Sequence, residues 1–211
     1  SKYIYLEANK LNPIDFDFPK VSVTGTENLM MAATLIDGVT VLRNCAKEPE
    51  VVELANYLNS CGAKIEGAGE SNISITGVSN LKANRWNVLF DRIEAGTYLV
   101  AGAITNGHVK VNKINPNTID IISQKLISMG IKVDIGEDYV EVDATSSDIK
   151  AQDIFTEPFP GFPTDMQAQF SVLNAIAEGR SIINETVFEN RFMHVQELNR
   201  MGCDCLLYTS D

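Results

Sequence analysis

The chain has 211 residues, with 28 Asp and Glu against 17 Lys and Arg, and 45% of its residues are apolar. That composition builds a packed core rather than a disordered chain, and the net charge of −11 argues against nucleic acid or an anionic membrane as the main partner, because both need a positive field. No run approaches the ~20 apolar residues of a membrane span, and the opening SKYIYLEANK has no basic n-region or apolar h-region of a signal peptide, so a cytoplasmic protein is expected.

In chain order, Val21–Val23 is the first β-branched stretch and is expected to be a strand. TENLMMAATLID follows with helical character, then Gly38 and a strand over Val39–Leu42. A second helix, EPEVVELANYLNS, carries the stripe Val51, Leu54, Ala55 and Leu58, and after Gly62 an alternating strand holds Ile73 and Ile75. The polar, turn-rich SNLKANRWN between Val78 and Val88 is expected to divide the domains, so that residues 1–86 form one unit.

The same plan then recurs. Val88–Phe90 is expected to be a strand, EAGTYLVAGAITN a helix ending near Gly107, and Val109–Val111 a strand. The next helix buries Ile119, Ile122, Leu126 and Met129 and ends at Gly130, before strands holding Val133 with Ile135 and Val140 with Val142. A third pass offers a Pro-interrupted strand near Phe159–Phe162, the helix TDMQAQFSVLNAIAE, Gly179, a strand over Ser181–Ile183, and the helix ENRFMHVQELNRM before Gly202. Both sets of glycines recur about every 70 residues, each just past a helix, where a left-handed cap suits a residue without Cβ. The fold class is therefore α/β, built from βαβαββ units, with residues 87–205 holding two of them. Such units, cut from a larger array, are expected to expose apolar surface near Val21–Leu35 and at the C-terminal end.

Helix starts in such repeats present unpaired N–H groups and positive dipole ends, which suit anions. Lys20 and Ser22 flank the first start, a pairing suitable for phosphate, although a Lys there also reads as a solvated edge residue. Thr24, Thr26 and Thr97 read as ordinary residues of capped helix starts. Asp165 follows EPFPGFPT, where Pro158, Pro160 and Pro163 stiffen the approach. It reads equally as an N-cap or as a carboxylate held for proton transfer or a sugar hydroxyl. In ETVFENRFMH, a helix beginning near Glu189 would use that carboxylate against its dipole and leave Arg191 to face a cleft. His108 and His194 read as a turn residue and a polar-face helical residue. Cys45, Cys61, Cys203 and Cys205 have no metal or redox spacing and read as reduced thiols; no P-loop, GxSxG or HExxH motif occurs.

PKVSVTGTENLMMAATLIDGVTVLRN, DRIEAGTYLVAGAI, FPTDMQAQF and ETVFENRFMH together resemble the enolpyruvyl transferase family, in its UDP-N-acetylglucosamine 1-carboxyvinyltransferase branch. The resemblance implies an inside-out α/β barrel of βαβαββ units, incomplete here, with residues 1–86 as the last unit of a first domain and 87–205 as two units of a second. It implies transfer of enolpyruvate from phosphoenolpyruvate to the 3′-hydroxyl of UDP-N-acetylglucosamine, with release of phosphate. That is a peptidoglycan-synthesis step tied to cell-wall biogenesis, cell shape and cell division. It implies no cofactor, no metal, a monomeric enzyme and those two small molecules as partners. By motif, Lys20, Val21, Ser22 and Val23 match the nucleotide-binding stretch, Asp165 the carboxylate that contacts the 3′-hydroxyl and takes its proton, Val187 a nucleotide contact, and Arg191 a basic cleft residue.

The chain departs from that family in length, in lacking the Lys-Asn pair that holds phosphoenolpyruvate, and in lacking the mobile loop with a catalytic Cys or Asp. None of its four cysteines takes that loop's role, and the chain is expected to be inactive alone. The ending CDCLLYTSD departs from the strand expected after RMG, and residues 206–211 read as a non-native tail. Two alternatives remain: a non-catalytic nucleotide-sugar-binding or structural module, and a relative that uses shikimate 3-phosphate.

Overall fold

The computed structural model describes residues 3, 5, 7–188 and 190–208. The chain divides into two compact units, Ser1–Leu89 and Phe90–Asp211.

Unit 1 runs β1 (Asp15–Asp17), α1 (Val23–Ala33), β2 (Val39–Arg43), α2 (Pro49–Ser60), β3 (Lys64–Glu66) and β4 (Asn72–Thr76), which is one βαβαββ repeat. The sheet order is β1-β2-β4-β3, with β1 parallel to β2 and the other neighbours antiparallel. Alternation decides its two faces. Thr40 and Leu42 of β2, Ile65 of β3 and Ile73 and Ile75 of β4 turn inward. They meet Met30 and Ala33 of α1 and Val51, Ala55 and Leu58 of α2 in one core.

Unit 2 runs α3 (Arg92–Ile104), β5 (His108–Asn112), α4 (Asp120–Ser128), β6 (Lys132–Ile135), β7 (Tyr139–Asp143), β8 (Ile154–Phe155), α5 (Gln167–Ile176), β9 (Ile183–Asn184) and α6 (Met193–Arg200). Strands β5-β7-β6 form an antiparallel sheet, and β8 pairs in parallel with β9. Helix α3 packs on that sheet and on α5, burying Leu99, Val100 and Ala103 with Ile122, Leu126, Val140, Val142 and Phe170. The outer face of the sheet is charged: Lys110 lies over the Tyr139 ring, and Glu141 pairs with both Lys110 and His108.

The second helix of every repeat ends the same way. The amide of Ala63 donates to the Leu58 carbonyl, Ile131 to Leu126 and Cys203 to Leu198, with Gly62, Gly130 and Gly202 at positive φ between them. This is the glycine-closed helix end read from the sequence. After the first helices the expectation fails: α1 and α5 are capped by Thr34 and Ala177, ahead of Gly38 and Gly179, and after α3 Gly107 misses the left-handed position. Asn106 holds the positive φ, and the Gly107 amide donates to the Gly102 carbonyl, so the left-handed position falls one residue early. The amide side chain makes Asn the commonest substitute for Gly there.

The strands expected immediately before the first helices are displaced. Val21–Val23 is not a strand: Ser22 is the N-cap of α1, and the strand is Asp15–Asp17. Likewise Phe159–Phe162 forms a turn, the strand being Ile154–Phe155, and Val88–Phe90 has no strand. In the first and third repeats a short connection therefore separates strand from helix, and it is this connection that carries the candidate residues. Glu189, expected at a helix start, lies outside the described residues; α6 begins at Met193.

Apolar side chains are exposed in both expected regions. Met31 and Leu35 are open to solvent near α1, as are Ile176, Ile182, Met193 and Met201 towards the C-terminal end. No helix among the described residues is long and apolar enough to cross a membrane.

Candidate functional site

In unit 1 the connection from β1 to α1 ends in a capped helix start. The Ser22 hydroxyl accepts from the Gly25 amide at 3.1 Å, and the Ser22 carbonyl accepts from the Thr26 amide and hydroxyl at 3.0 and 2.8 Å. The Thr26 hydroxyl in turn accepts from the Ala46 amide at 3.1 Å, tying α1 to the segment before α2. Gly25 is required by close approach: a Cβ there would stand 2.9 Å from the Ser22 hydroxyl and 3.0 Å from the Phe18 ring. Lys20 is exposed just ahead of this cap, with Val21, Ser22 and Val23 half-buried. The capping duty that the sequence reading spread over Thr24 and Thr26 belongs to Ser22.

Helix α1 also bears a perturbed carboxyl absent from the sequence reading. Burial pushes the Glu27 carboxyl above the usual range, and the charges of Glu50 and Glu48 push it further the same way. No spacing signal marks it, because Glu48 and Glu50 arrive from the start of α2.

In unit 2 the parallel pair β8 and β9 delivers two residues from its carboxyl ends, where α/β sheets place their ligands. Thr156 follows β8 and Glu185 follows β9. The Glu185 carboxylate accepts from the Thr156 hydroxyl at 2.8 Å, the Thr164 hydroxyl at 2.8 Å, and the Val187 and Phe188 amides at 2.9 and 3.0 Å. Burial works against its charge, but the Phe188 amide, the Thr164 hydroxyl, the Val187 amide and the Thr156 hydroxyl outweigh it and hold it below the usual range.

Asp165 stands in a short 3-10 turn, Thr164–Met166, at the entrance to α5. The N-cap position belongs to Pro163, so the capping alternative for Asp165 is not realised. Instead Arg191 reaches across: Nη2 donates to Asp165 Oδ1 at 2.6 Å and Nη1 to the Thr164 hydroxyl at 3.0 Å. The guanidinium also lies over the Phe188 ring, 5.3 Å from its centroid. Asp165, Phe188, Asn190, Arg191 and Met193 line an open depression of about 390 Å³. The side chains of Arg191 and Asp165 are 39% and 50% exposed, and pairs this open to water add only about 0–1 kcal/mol, so the contact fixes position more than it stabilises the fold.

Helix α3 supports the turn from beneath. Asp91 caps it, accepting from the Ile93 and Glu94 amides at 2.8 and 3.0 Å, and the Thr97 hydroxyl accepts from Gln169 at 2.9 Å. Met166 is fully buried against the α3 surface at Gly96.

The structure thus brings Asp165, Val187 and Arg191 to one locality of unit 2, while Lys20, Val21, Ser22 and Val23 share a turn in unit 1. His194 is not on a solvated face. It is half-buried with Nε2 3.3 Å from the Ser171 hydroxyl, and burial, then the Arg191 charge, lowers its basicity. His108 starts β5 rather than standing in a turn, with Nε2 2.5 Å from Glu141. Sequence reasoning missed Glu185 as the hub and Thr164 as its link. The only signal was Glu185 opening the ETVFENRF motif.

A family model described as EPSP synthase (3-phosphoshikimate 1-carboxyvinyltransferase) matches residues 1–208. A UDP-N-acetylglucosamine 1-carboxyvinyltransferase of Coxiella burnetii (strain Dugway 5J108-111) is 53% identical over 95% of the chain and 46% of its own length. One from Aeromonas hydrophila subsp. hydrophila is 54% identical over 87% of the chain and 44% of its own length. The chain therefore spans about half the length of the curated relatives it matches. Among solved structures, the enolpyruvyl transferase NikO from Streptomyces tendae superposes with a TM-score of 0.80 at 23% identity, over 91% of this chain and 48% of that one. An EPSP synthase from Acinetobacter baumannii gives 0.55 at 20% identity, over 82% and 40%. These two likenesses establish a shared fold.

Proposed function

From the premise that the chain belongs to the EPSP synthase family, we propose that it supplies part of the active site of a UDP-N-acetylglucosamine 1-carboxyvinyltransferase. The observation that carries the choice of acceptor is identity above one half to relatives of that name. In this reading Lys20 to Val23 receive the nucleotide's anionic part, where a lysine and the amides of a helix start favour negative charge. Val187 packs beside the nucleotide, and Arg191 gives the depression a fixed positive charge. Asp165 faces the sugar's 3′-hydroxyl. As that oxygen bonds to C2 of phosphoenolpyruvate, Asp165 takes its proton while an acid of the full-length enzyme protonates C3; C3 then gives up a proton as the C2–O bond to phosphate breaks and the double bond reforms. The enzyme acts in the cytoplasm, in cell-wall synthesis.

Arg191 suits Asp165 to this role. The guanidinium bound at 2.6 Å holds the carboxylate in one direction, and an oriented base saves the entropy of finding its geometry. The test is Asp165→Ala in a full-length enzyme carrying these residues. Loss of general-base assistance typically removes about 10²–10⁴-fold in rate, so kcat is expected to fall at least 100-fold while nucleotide-sugar affinity changes less than about 5-fold. An unchanged kcat would remove Asp165 from the chemistry.

A further inference from the structure

We propose that Glu185 is a positioning residue for the reacting carboxylate, acting through Thr164 and Arg191; the inference rests on the reading of Asp165 as the base and deepens it. The path is continuous. Glu185 Oε2 accepts from the Thr164 hydroxyl at 2.8 Å, that hydroxyl accepts from Arg191 Nη1 at 3.0 Å, and Arg191 Nη2 holds Asp165 Oδ1 at 2.6 Å. Each link fixes the next one's direction. A hydroxyl has one proton, and giving it to Glu185 turns the oxygen's lone pairs towards Arg191. The guanidinium is planar, so anchoring Nη1 also sets where Nη2 points. Without the Thr164 hydroxyl the guanidinium would keep its stacking on Phe188 and the exposed pair with Asp165.

Glu185 itself has little freedom. Its other oxygen accepts from Thr156 and from the Val187 and Phe188 amides. Thr156 is fully buried and its hydroxyl accepts from the Thr186 amide at 2.9 Å, so the hub is built into the ends of β8 and β9. The same hub orients the Val187 and Phe188 backbone, which places the nucleotide contact and the ring under Arg191. One carboxylate therefore sets two parts of the proposed site. Four donors hold this carboxylate, three on Oε1 and Thr164 on Oε2.

The experiment uses a full-length enzyme carrying these residues and compares Thr164→Val, Thr164→Ser, Glu185→Gln and the Thr164→Val/Glu185→Gln double variant, with Asp165→Ala as reference. Valine keeps the volume of Thr164 and deletes its hydroxyl, and glutamine replaces the acceptor facing Thr164 with a donor. Thr164→Val and Glu185→Gln are each expected to lower kcat about 10-fold, with KM for the nucleotide sugar within about 3-fold in Thr164→Val. Thr164→Ser is expected to restore kcat to within about 3-fold of the unmodified enzyme. The double variant is expected to be no slower than the worse single one, as for residues on one path. A melting curve accompanies each variant, and Thr164→Val carries the test if Glu185→Gln fails to fold. The proposal is overturned if Thr164→Val leaves kcat unchanged while Asp165→Ala abolishes it, or if serine fails to rescue. If Asp165→Ala leaves kcat unchanged, the reading of the base falls and the positioning role falls with it.

Discussion

Two glutamates show how placement reverses the effect of one functional group. Glu185 is half-buried but hydrogen-bonded by four donors, which hold it below the usual carboxylate range. The unfolded chain binds its proton first as pH falls, so its contribution is present above the ordinary value of about 4.3 and is lost in more acid solution. Glu27 is the opposite case. Burial, with Glu50 and Glu48 nearby, raises its carboxyl, so the folded chain binds the proton more tightly, and stability is lost as pH rises from about 4.3 through the raised value. Glu27→Gln is therefore expected to raise the thermal midpoint at pH 7 and to leave it nearly unchanged at pH 4, read by melting curves at both pH values. A lower midpoint at pH 7 would mean that the Glu27 charge has a compensating partner. Neither glutamate's environment was legible along the chain. FPTDMQ and ETVFENRF each drew notice, but the hydrogen bond joining Thr164 to Glu185 depends on β8 meeting β9 in parallel.

At the scale of the element, periodicity found the helices and most strands, because Ile73 with Ile75 and Val140 with Val142 alternate cleanly over buried faces. It misplaced the strands that lead the repeats. Val21–Val23 has the β-branched composition of a strand, yet the Ser22 cap takes it into α1, while Asp15–Asp17 pairs with β2 despite two carboxylates because it stands on a sheet edge, where charge is tolerated. Helix α3 shows what small residues do for the site. A Cβ on Gly96 would stand 2.9 Å from Ile122 and 3.0 Å from Met166, the last residue of the turn that carries Asp165. Gly96→Val is expected to cost about 1–3 kcal/mol by overpacking, read by denaturant unfolding. In a full-length enzyme it should also slow turnover, by lifting that turn away from Arg191. Unchanged stability would show that Met166 swings aside freely.

At the scale of the molecule, three repeats use one helix-closing device, three hydrogen bonds from the residue after Gly62, Gly130 and Gly202 back to Leu58, Leu126 and Leu198. The repeat was legible because glycine at positive φ leaves a mark in the sequence. Exposed apolar side chains stand on α1 and at the C-terminal end, as expected of repeats cut from a larger array. The acidic total charge makes the local arrangement decisive, because an anionic ligand has to be held by local positive groups and oriented amides against the field of the whole chain. The central claim is that these groups serve transfer to a nucleotide sugar, and the choice of acceptor tests it most directly. A full-length enzyme carrying this segment, given phosphoenolpyruvate, is expected to release phosphate with UDP-N-acetylglucosamine and not with shikimate 3-phosphate; release with shikimate 3-phosphate, or with neither acceptor, would contradict the account.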